Sequence, residues 1–259
     1  MPSAFILKLQ ELWPTFLGGL AFYTILPLPR KWPLNINRCS LMAPLIGLIV
    51  GGLLGQLWGL VQWVRVPQFL SSALLVGAWV LLTGGLHLDG AMDTADGWNV
   101  NNPRQRLSVM QDSRTGAFGV MVCVVLLGLK ISALAETSLL VPWILAGAAG
   151  WARWSQVVAI AVYPYLRGEG KGKLHKDHCH VPGDWLWGLV VLLIFLGIQG
   201  LITQRWWASI LLAGGGGSAG ILFGWLIYWR FGGHTGDTYG AVVEWSETFY
   251  LCLACIYLS

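Results

Sequence analysis

Residues 67–98 read PQFLSSALLVGAWVLLTGGLHLDGAMDTADGW, an apolar run of bilayer-spanning length that ends in three aspartates, Asp89, Asp93 and Asp96. A membrane span needs about twenty apolar residues. A carboxylate near hydrocarbon is costly unless it is hydrated, paired or bound to a cation, so three together at the end of a span mark a functional site. On a helix they stand at i, i+4 and i+7, within an arc of about 60° on one face. Carboxylates gathered in this way repel one another unless a proton or cation intervenes, and an all-oxygen ligand set favours a hard ion such as Mg²⁺. Asp89, Asp93 and Asp96 are therefore the candidate catalytic and metal-ligating residues. Gly90 and Gly97 each follow an aspartate and leave room for a substrate or a neighbouring helix. The plainer alternative is that these acids cap helices or meet arginines in a hydrated loop.

The rest of the chain supports a membrane setting. Of 259 residues 56% are hydrophobic and 11% charged, and the mean hydropathy is +0.63. Those values belong to a polytopic membrane protein and exclude an ordinary soluble domain. Thirty-four glycines and sixteen tryptophans agree, because small residues let membrane helices approach and Trp prefers the interface. Candidate spans lie at 11–27, 41–64, 67–88, 117–136, 139–163, 185–203, 206–229 and 238–259, which predicts an all-α helical bundle of seven or eight spans in a lipid bilayer. The first is the weakest span, since Lys8, Glu11 and Pro14 also suit a tilted or interfacial helix. No internal repeat or linker divides the chain, so residues 1–259 are read as one transmembrane catalytic domain. The N-terminus lacks the pattern of a cleavable signal peptide. The composition is compatible with an oligomer.

If the spans alternate, segments 28–40, 87–116, 164–184 and 230–247 share one face of the membrane. That face carries Arg30, Lys31, Arg38, Arg104, Arg106, Arg114, Arg167, Lys171, Lys173, Lys176 and Arg230, against Arg65 and Arg205 on the other. The positive-inside rule makes it cytoplasmic, in a cell (inner or plasma) membrane. Ten of the twelve acidic residues fall on the same side, so chemistry is expected there. A formal charge of +4 distributed in this way reports topology and does not indicate nucleic-acid binding.

Two further segments on this face supply candidate substrate-binding residues. In MQDSRTGAFG (110–119), Asp112, Ser113 and Arg114 precede a span; an arginine fork suits phosphate, while the alternative is a helix start with Asp112 or Ser113 as its cap. In GGHTGDTYGAVVEWSE (232–247), Asp237, Glu244 and Glu247 add acids at the membrane boundary. They suit a second cation, a general base or the orientation of basic residues, or else they pair with nearby cations. HKDHCH (175–180) has three histidines and a cysteine, yet its spacing fits no closed zinc site, and Lys171, Lys173 and Lys176 serve better as a positive rim for an anionic substrate. His87 suits either a phosphate contact or a proton relay, or a local hydrogen bond. Arg153, in GWARWSQ, lies inside a span and needs an acidic partner, a hydrated cavity or an interface to snorkel to. The five cysteines show no disulfide framework.

Taken together, HLDGAMDTADGW, MQDSRTGAFG and GGHTGDTYGAVVEWSE resemble the cobalamin synthase (adenosylcobinamide-GDP ribazoletransferase) family, in the family's order and over most of the chain. The early stretch with Arg30, Arg38 and SLMAPLIGLIVGG is similar to that family's N-terminal region. The resemblance implies an Mg²⁺-dependent membrane enzyme in which adenosylcobinamide-GDP supplies the activated phosphate. The ribose 3′-hydroxyl of α-ribazole, or of its 5′-phosphate, attacks the phosphorus bearing cobinamide and GMP leaves.

Two other activities compete. A lipid-type CDP-alcohol phosphotransferase also uses boundary aspartates, a metal and an activated diphosphate, but its expected DGxxAR and GxxxDxxxD pattern is not continued here. A cation or metabolite transporter also has intramembrane acids, but these acids cluster at one face instead of the midplane.

Overall fold

The structure is a computed structural model that describes residues 4–137 and 139–258. Eleven α-helices occur among the described residues: α1 (Ala4–Tyr23), α2 (Ala43–Trp63), α3 (Gln68–Leu82), α4 (Leu86–Trp98), α5 (Pro103–Val109), α6 (Ala117–Glu136), α7 (Val141–Val162), α8 (Lys171–Asp177), α9 (Gly183–Thr203), α10 (Trp206–Phe231) and α11 (Gly236–Leu258). The only strand-like feature among them is an isolated bridge between Tyr165 and His234. The all-α membrane bundle expected from composition is thus the architecture found.

Helix α7 is the axis of the bundle. From Ile144 to Val157 every residue is buried, enclosed by α2, α9, α10 and α11. Its AGAAG stretch allows this, and α2 answers with Gly47 and Gly51, where any side chain would run into the backbone of Ala149 and of Leu145–Ala146. Small residues let helices approach to backbone contact, which is how dispersion holds membrane helices together where lipid is as apolar as the side chains. The GGGG run at 214–217 does not break α10; Gly216 lies flat against the Tyr250 ring of α11.

Five helices, α2, α6, α9, α10 and α11, are long and apolar enough to cross a membrane, and the pair α3–α4 adds a sixth if it is taken as one bent span. Helix α7 falls outside that group although its 22 residues reach about 33 Å, because a helix sheathed by others need not be apolar all round. Outward faces carry the lipid-compatible side chains, such as Val124, Val125 and Leu129 on α6 and Leu193, Ile194 and Ile202 on α9. Gly84 and Gly85, at φ of +62° and +67°, turn α4 through 90° from α3. Consecutive left-handed residues favour glycine, so this bend is written in the sequence. It ends the apolar run and lays the aspartate helix across the end of the bundle.

The four segments placed on one face by alternation of the spans do meet. Arg38 pairs with Asp184 at 2.8 Å, Arg167 pairs with Asp237 at 2.7 Å, and Arg230 donates to the Val100 carbonyl at 3.1 Å. These contacts tie 28–40 to 164–184, 164–184 to 230–247, and 230–247 to 87–116.

Beneath that end lies a buried charge network. Lys130 of α6 donates to Glu244 and Glu247 of α11, each at 2.6 Å, and Arg153 of α7 donates to Glu247 at 2.9 Å. All four are buried, with Arg153 wholly inaccessible. Two cations and two anions cancel, which is what allows ionised groups so deep in a bundle. Arg153 therefore has the acidic partner that its position demanded. Lys130→Met leaves two carboxylates against one cation and should destabilise the protein by about 3–5 kcal/mol. Lys130→Met/Glu244→Gln, which restores neutrality, should recover much of the loss; thermal unfolding in detergent that ranks the double variant no better than the single one would contradict this.

Candidate active site

Helix α4 presents its aspartates because it crosses α11 with almost nothing between them. A Cβ at Gly90 would lie 2.9 Å from the Asp237 Cα, and one at Gly240 would lie 3.1 Å from the His87 Cα. Glycine at 90 is required by that approach, and glycine at 240 relieves a tight contact on the other side of it. It sets Asp89 beside Asp237, and the Asp93 carboxylate experiences the charges of Asp89, Asp237, Asp96 and Arg167 together.

The three aspartates have different partners. Asp96 accepts hydrogen bonds from the backbone N–H groups of Gly116 and Gly119, both at 2.8 Å, and so holds the N-terminus of α6 through its free amides and positive dipole end. Asp89 is exposed and Asp93 half-buried, and among the described residues neither forms an ion pair or accepts a side-chain hydrogen bond. The pair open to an external cation is therefore Asp89 and Asp93. No three His, Cys, Asp or Glu side chains among the described residues form a ready-made metal cage. Mg²⁺ is commonly held by one or two carboxylates with substrate phosphates completing the shell, and two free carboxylates one helical turn apart fit that mode.

Hollows open at both ends of the aspartate row, whose outer members are separated by about 10 Å along the helix axis. At the Asp96 end an open groove of about 450 Å³ is lined by Asp112, Arg114, Thr115 and Phe118. Here Arg114 donates to Asp112 through Nε at 3.1 Å and Nη2 at 2.8 Å. Those bonds hold the Asp112 carboxyl down at about 2, so both residues stay charged at the rim. Ser113 is exposed beside them.

At the Asp89 end a cavity of about 200 Å³ is bounded by His87, Asp89, Gln156, Tyr165, Arg167, Lys171, His175, Asp237 and Tyr239, with Phe22 at its side. Arg167 pairs with Asp237 and keeps an Nε without a partner among the described residues. Deeper in, His87 Nε2, Gln156 Oε1, His175 Nε2 and the Tyr239 hydroxyl are all buried and lack hydrogen-bond partners among those residues. A buried polar atom left unpaired costs roughly 1–3 kcal/mol, so four around one cavity are a binding surface in the making.

Glu244 and Glu247 do not line either hollow. They belong to the buried network with Lys130 and Arg153, and of the C-terminal acids only Asp237 reaches the cavity. Of the three lysines expected as a rim, Lys171 lines the cavity, Lys173 pairs with Asp177 at 2.6 Å, and Lys176 donates to the Ile160 and Ala161 carbonyls at the end of α7. In HKDHCH, His175 faces the Cys39 sulfur at 3.7 Å and His178 meets the Leu174 carbonyl, with no metal cluster among the described residues. Gln156 and Tyr239 were not singled out from the sequence. The available signal was a hydrogen-bonding side chain inside an otherwise apolar span.

The family of cobalamin-5-phosphate synthase matches residues 15–255. An adenosylcobinamide-GDP ribazoletransferase of Trichormus variabilis is 44% identical over 242 residues, covering 93% of this chain and 96% of that protein. One of Synechocystis sp. is 46% identical over 243 residues, covering 90% and 91% respectively. Another, of Thermosynechococcus vestitus, is 42% identical, with 94% and 96% covered. No solved structure matches significantly.

His175 gives the site a pH signature. Burial, and secondarily the charge of His178, push its imidazole down to about 4 from the usual value near 6.5. Below about 6.5 the unfolded chain takes up a proton that the folded one refuses, so this residue's contribution to stability is lost as pH falls from about 6.5 toward about 4. His175→Gln should flatten the decline of Tm between pH 7 and 4.5; parallel curves for variant and wild type would show that His175 does not carry it.

Proposed function

The chain belongs to the cobalamin-5-phosphate synthase family, and on that premise we propose that it joins adenosylcobinamide-GDP to α-ribazole, or to α-ribazole 5′-phosphate, with release of GMP. The product is adenosylcobalamin or its 5′-phosphate. One observation carries this activity to particular residues: a single face of α4 joins two hollows, Asp89 with Arg167 and Lys171 at one end and Asp96 with Arg114 at the other. The extended family match leaves the CDP-alcohol and transport readings without support of their own.

Transfer of a substituted phosphate is mainly a matter of positioning and charge neutralisation. Arg167 and Lys171 bind phosphate oxygens at the cavity, and Arg114 offers a further cationic contact across the groove. Asp89 and Asp93 would hold Mg²⁺ together with the diphosphate, and the ion would neutralise the charge that develops on the leaving group. The ribose 3′-oxygen forms a bond to the phosphorus bearing cobinamide as the bond from that phosphorus to the bridging oxygen breaks. GMP departs with the bridging oxygen, and the hydroxyl proton passes to the Asp93 carboxylate. Asp96 acts through position, fixing α6 against α4. Glu244 and Glu247 act from below, by keeping Lys130 and Arg153 neutralised.

The setting follows from the same charges. Eleven basic residues flank the spans on the side where the site lies, which supports a cytoplasm-facing site in the cell membrane. Substrates then arrive from the cytoplasm while the apolar flanks remain in lipid.

Purified protein in nanodiscs should release one GMP per cobalamin formed, and only with a divalent cation. Asp89→Asn and Asp93→Asn should each lower that rate at least about 100-fold without lowering Tm. Either variant working at the wild-type rate under limiting Mg²⁺ would remove that residue from the assignment.

A further inference from the structure

The cavity beside Asp89 grades from charged at its mouth to neutral at its floor. Asp89 and Lys171 are exposed, Arg167 and Asp237 are half-buried, and His87, Gln156, His175 and Tyr239 are buried. The four floor residues are only 1–4% exposed, and each has a polar atom without a partner among the described residues. Phe22, Tyr165 and Tyr239 add aromatic rings to the wall. A ligand that satisfies this enclosure has a flat body, several hydrogen-bonding atoms along one edge, and a phosphate at the opposite end. Because Asp237 already pairs with Arg167, that phosphate uses Lys171 and the Arg167 Nε that lacks a partner among the described residues, and it shares a cation with Asp89. A nucleotide has that form.

Two nucleoside units take part in the proposed reaction, and the cavity discriminates between them. Glycosylated benzimidazole keeps one ring nitrogen as an acceptor and is otherwise hydrocarbon, so it would leave most of the floor unpaired. Guanine carries acceptors at O6 and N7 and a donor amine at N2. Gln156 Oε1 is an acceptor for such a donor, while the Tyr239 hydroxyl and the imidazoles of His87 and His175 can each donate or accept. Size points the same way, since about 200 Å³ admits a purine and part of its ribose but not a corrinoid.

We propose that this cavity is the guanosine subsite of the donor, with Gln156, His175 and Tyr239 as the residues that select guanine. The inference rests on the transferase reading and extends it to donor orientation. Guanosine lies inward, its α-phosphate meets Arg167 and Lys171 at the mouth, and the diphosphate passes Asp89 toward Asp93. The corrinoid and the incoming ribazole then stay outside the cavity, and GMP remains seated after the bond to phosphorus has broken.

The test uses full-length protein in nanodiscs, with GMP and AMP as probes. GMP should inhibit competitively against adenosylcobinamide-GDP at least about tenfold better than AMP. Gln156→Leu should raise the donor KM and the GMP inhibition constant together by about tenfold, with the α-ribazole KM changed less than twofold. Tyr239→Phe provides the second variant if Gln156→Leu does not fold, with the same split expected. Equal inhibition by GMP and AMP, or a KM change confined to α-ribazole, would overturn the subsite while leaving the transferase intact. If wild-type protein forms no cobalamin, the transferase reading fails; equilibrium dialysis of GMP against AMP then decides the subsite, with no preference counting against it.

Discussion

Everything at the polar end of this molecule depends on α4 and α11 crossing at backbone contact. With Gly90 against the Asp237 backbone and Gly240 against that of His87, the two helices have no side chain to hold them apart. A side chain at Gly90 would force the helices apart, because the opposing Asp237 atoms are backbone and cannot rotate away, and one at Gly240 would push the His87 backbone back by a few tenths of an ångström. The crossing brings Asp237, and through it Arg167, to the end of the aspartate row. It also puts His87 and Tyr239 on one cavity wall. The paired glycines at 84 and 85 make the crossing possible by turning the chain through 90° before α4 starts.

A site rich in like charges at the edge of hydrocarbon needs support from below. Lys130, Glu244, Glu247 and Arg153 provide it by linking α6, α7 and α11 through one electrically balanced cluster. Asp96 supplies a second link, from α4 to the amides that begin α6. Helix α6 is thus fixed at its first turn by an aspartate that reaches it from α4 and further along by its own lysine reaching α11. Rigid placement matters here because the chemistry proposed depends on geometry and charge more than on any reactive side chain.

Much of this was legible from the chain. The helical spacing of Asp89, Asp93 and Asp96 predicted a shared face, and the alternation of the spans predicted which four segments would meet. What spacing did not reveal was how three equivalent-looking acids divide their partners. Asp96 is satisfied by the amides of Gly116 and Gly119, about twenty residues away in sequence, and such pairing is a property of tertiary structure. Glu244 stands seven residues from Asp237 on the same helix face, so the two read as one site, whereas about 10 Å of helix carries Glu244 below the cavity to Lys130, with Glu247 beyond it at Lys130 and Arg153. Gln156 sits three residues from Arg153 in the same apolar span, but only the fold shows that it lines a cavity with His175 and Tyr239.

The central claim is that Asp89 and Asp93 hold a divalent cation only in company with the donor's diphosphate. Mn²⁺ bound to the purified protein, followed by electron paramagnetic resonance with and without adenosylcobinamide-GDP and without any ribazole, tests it directly. The account predicts weak Mn²⁺ binding alone, binding at least about tenfold tighter with the donor, and loss of that gain in Asp89→Asn and Asp93→Asn. Equally tight binding without donor, or a gain that survives both substitutions, would contradict it.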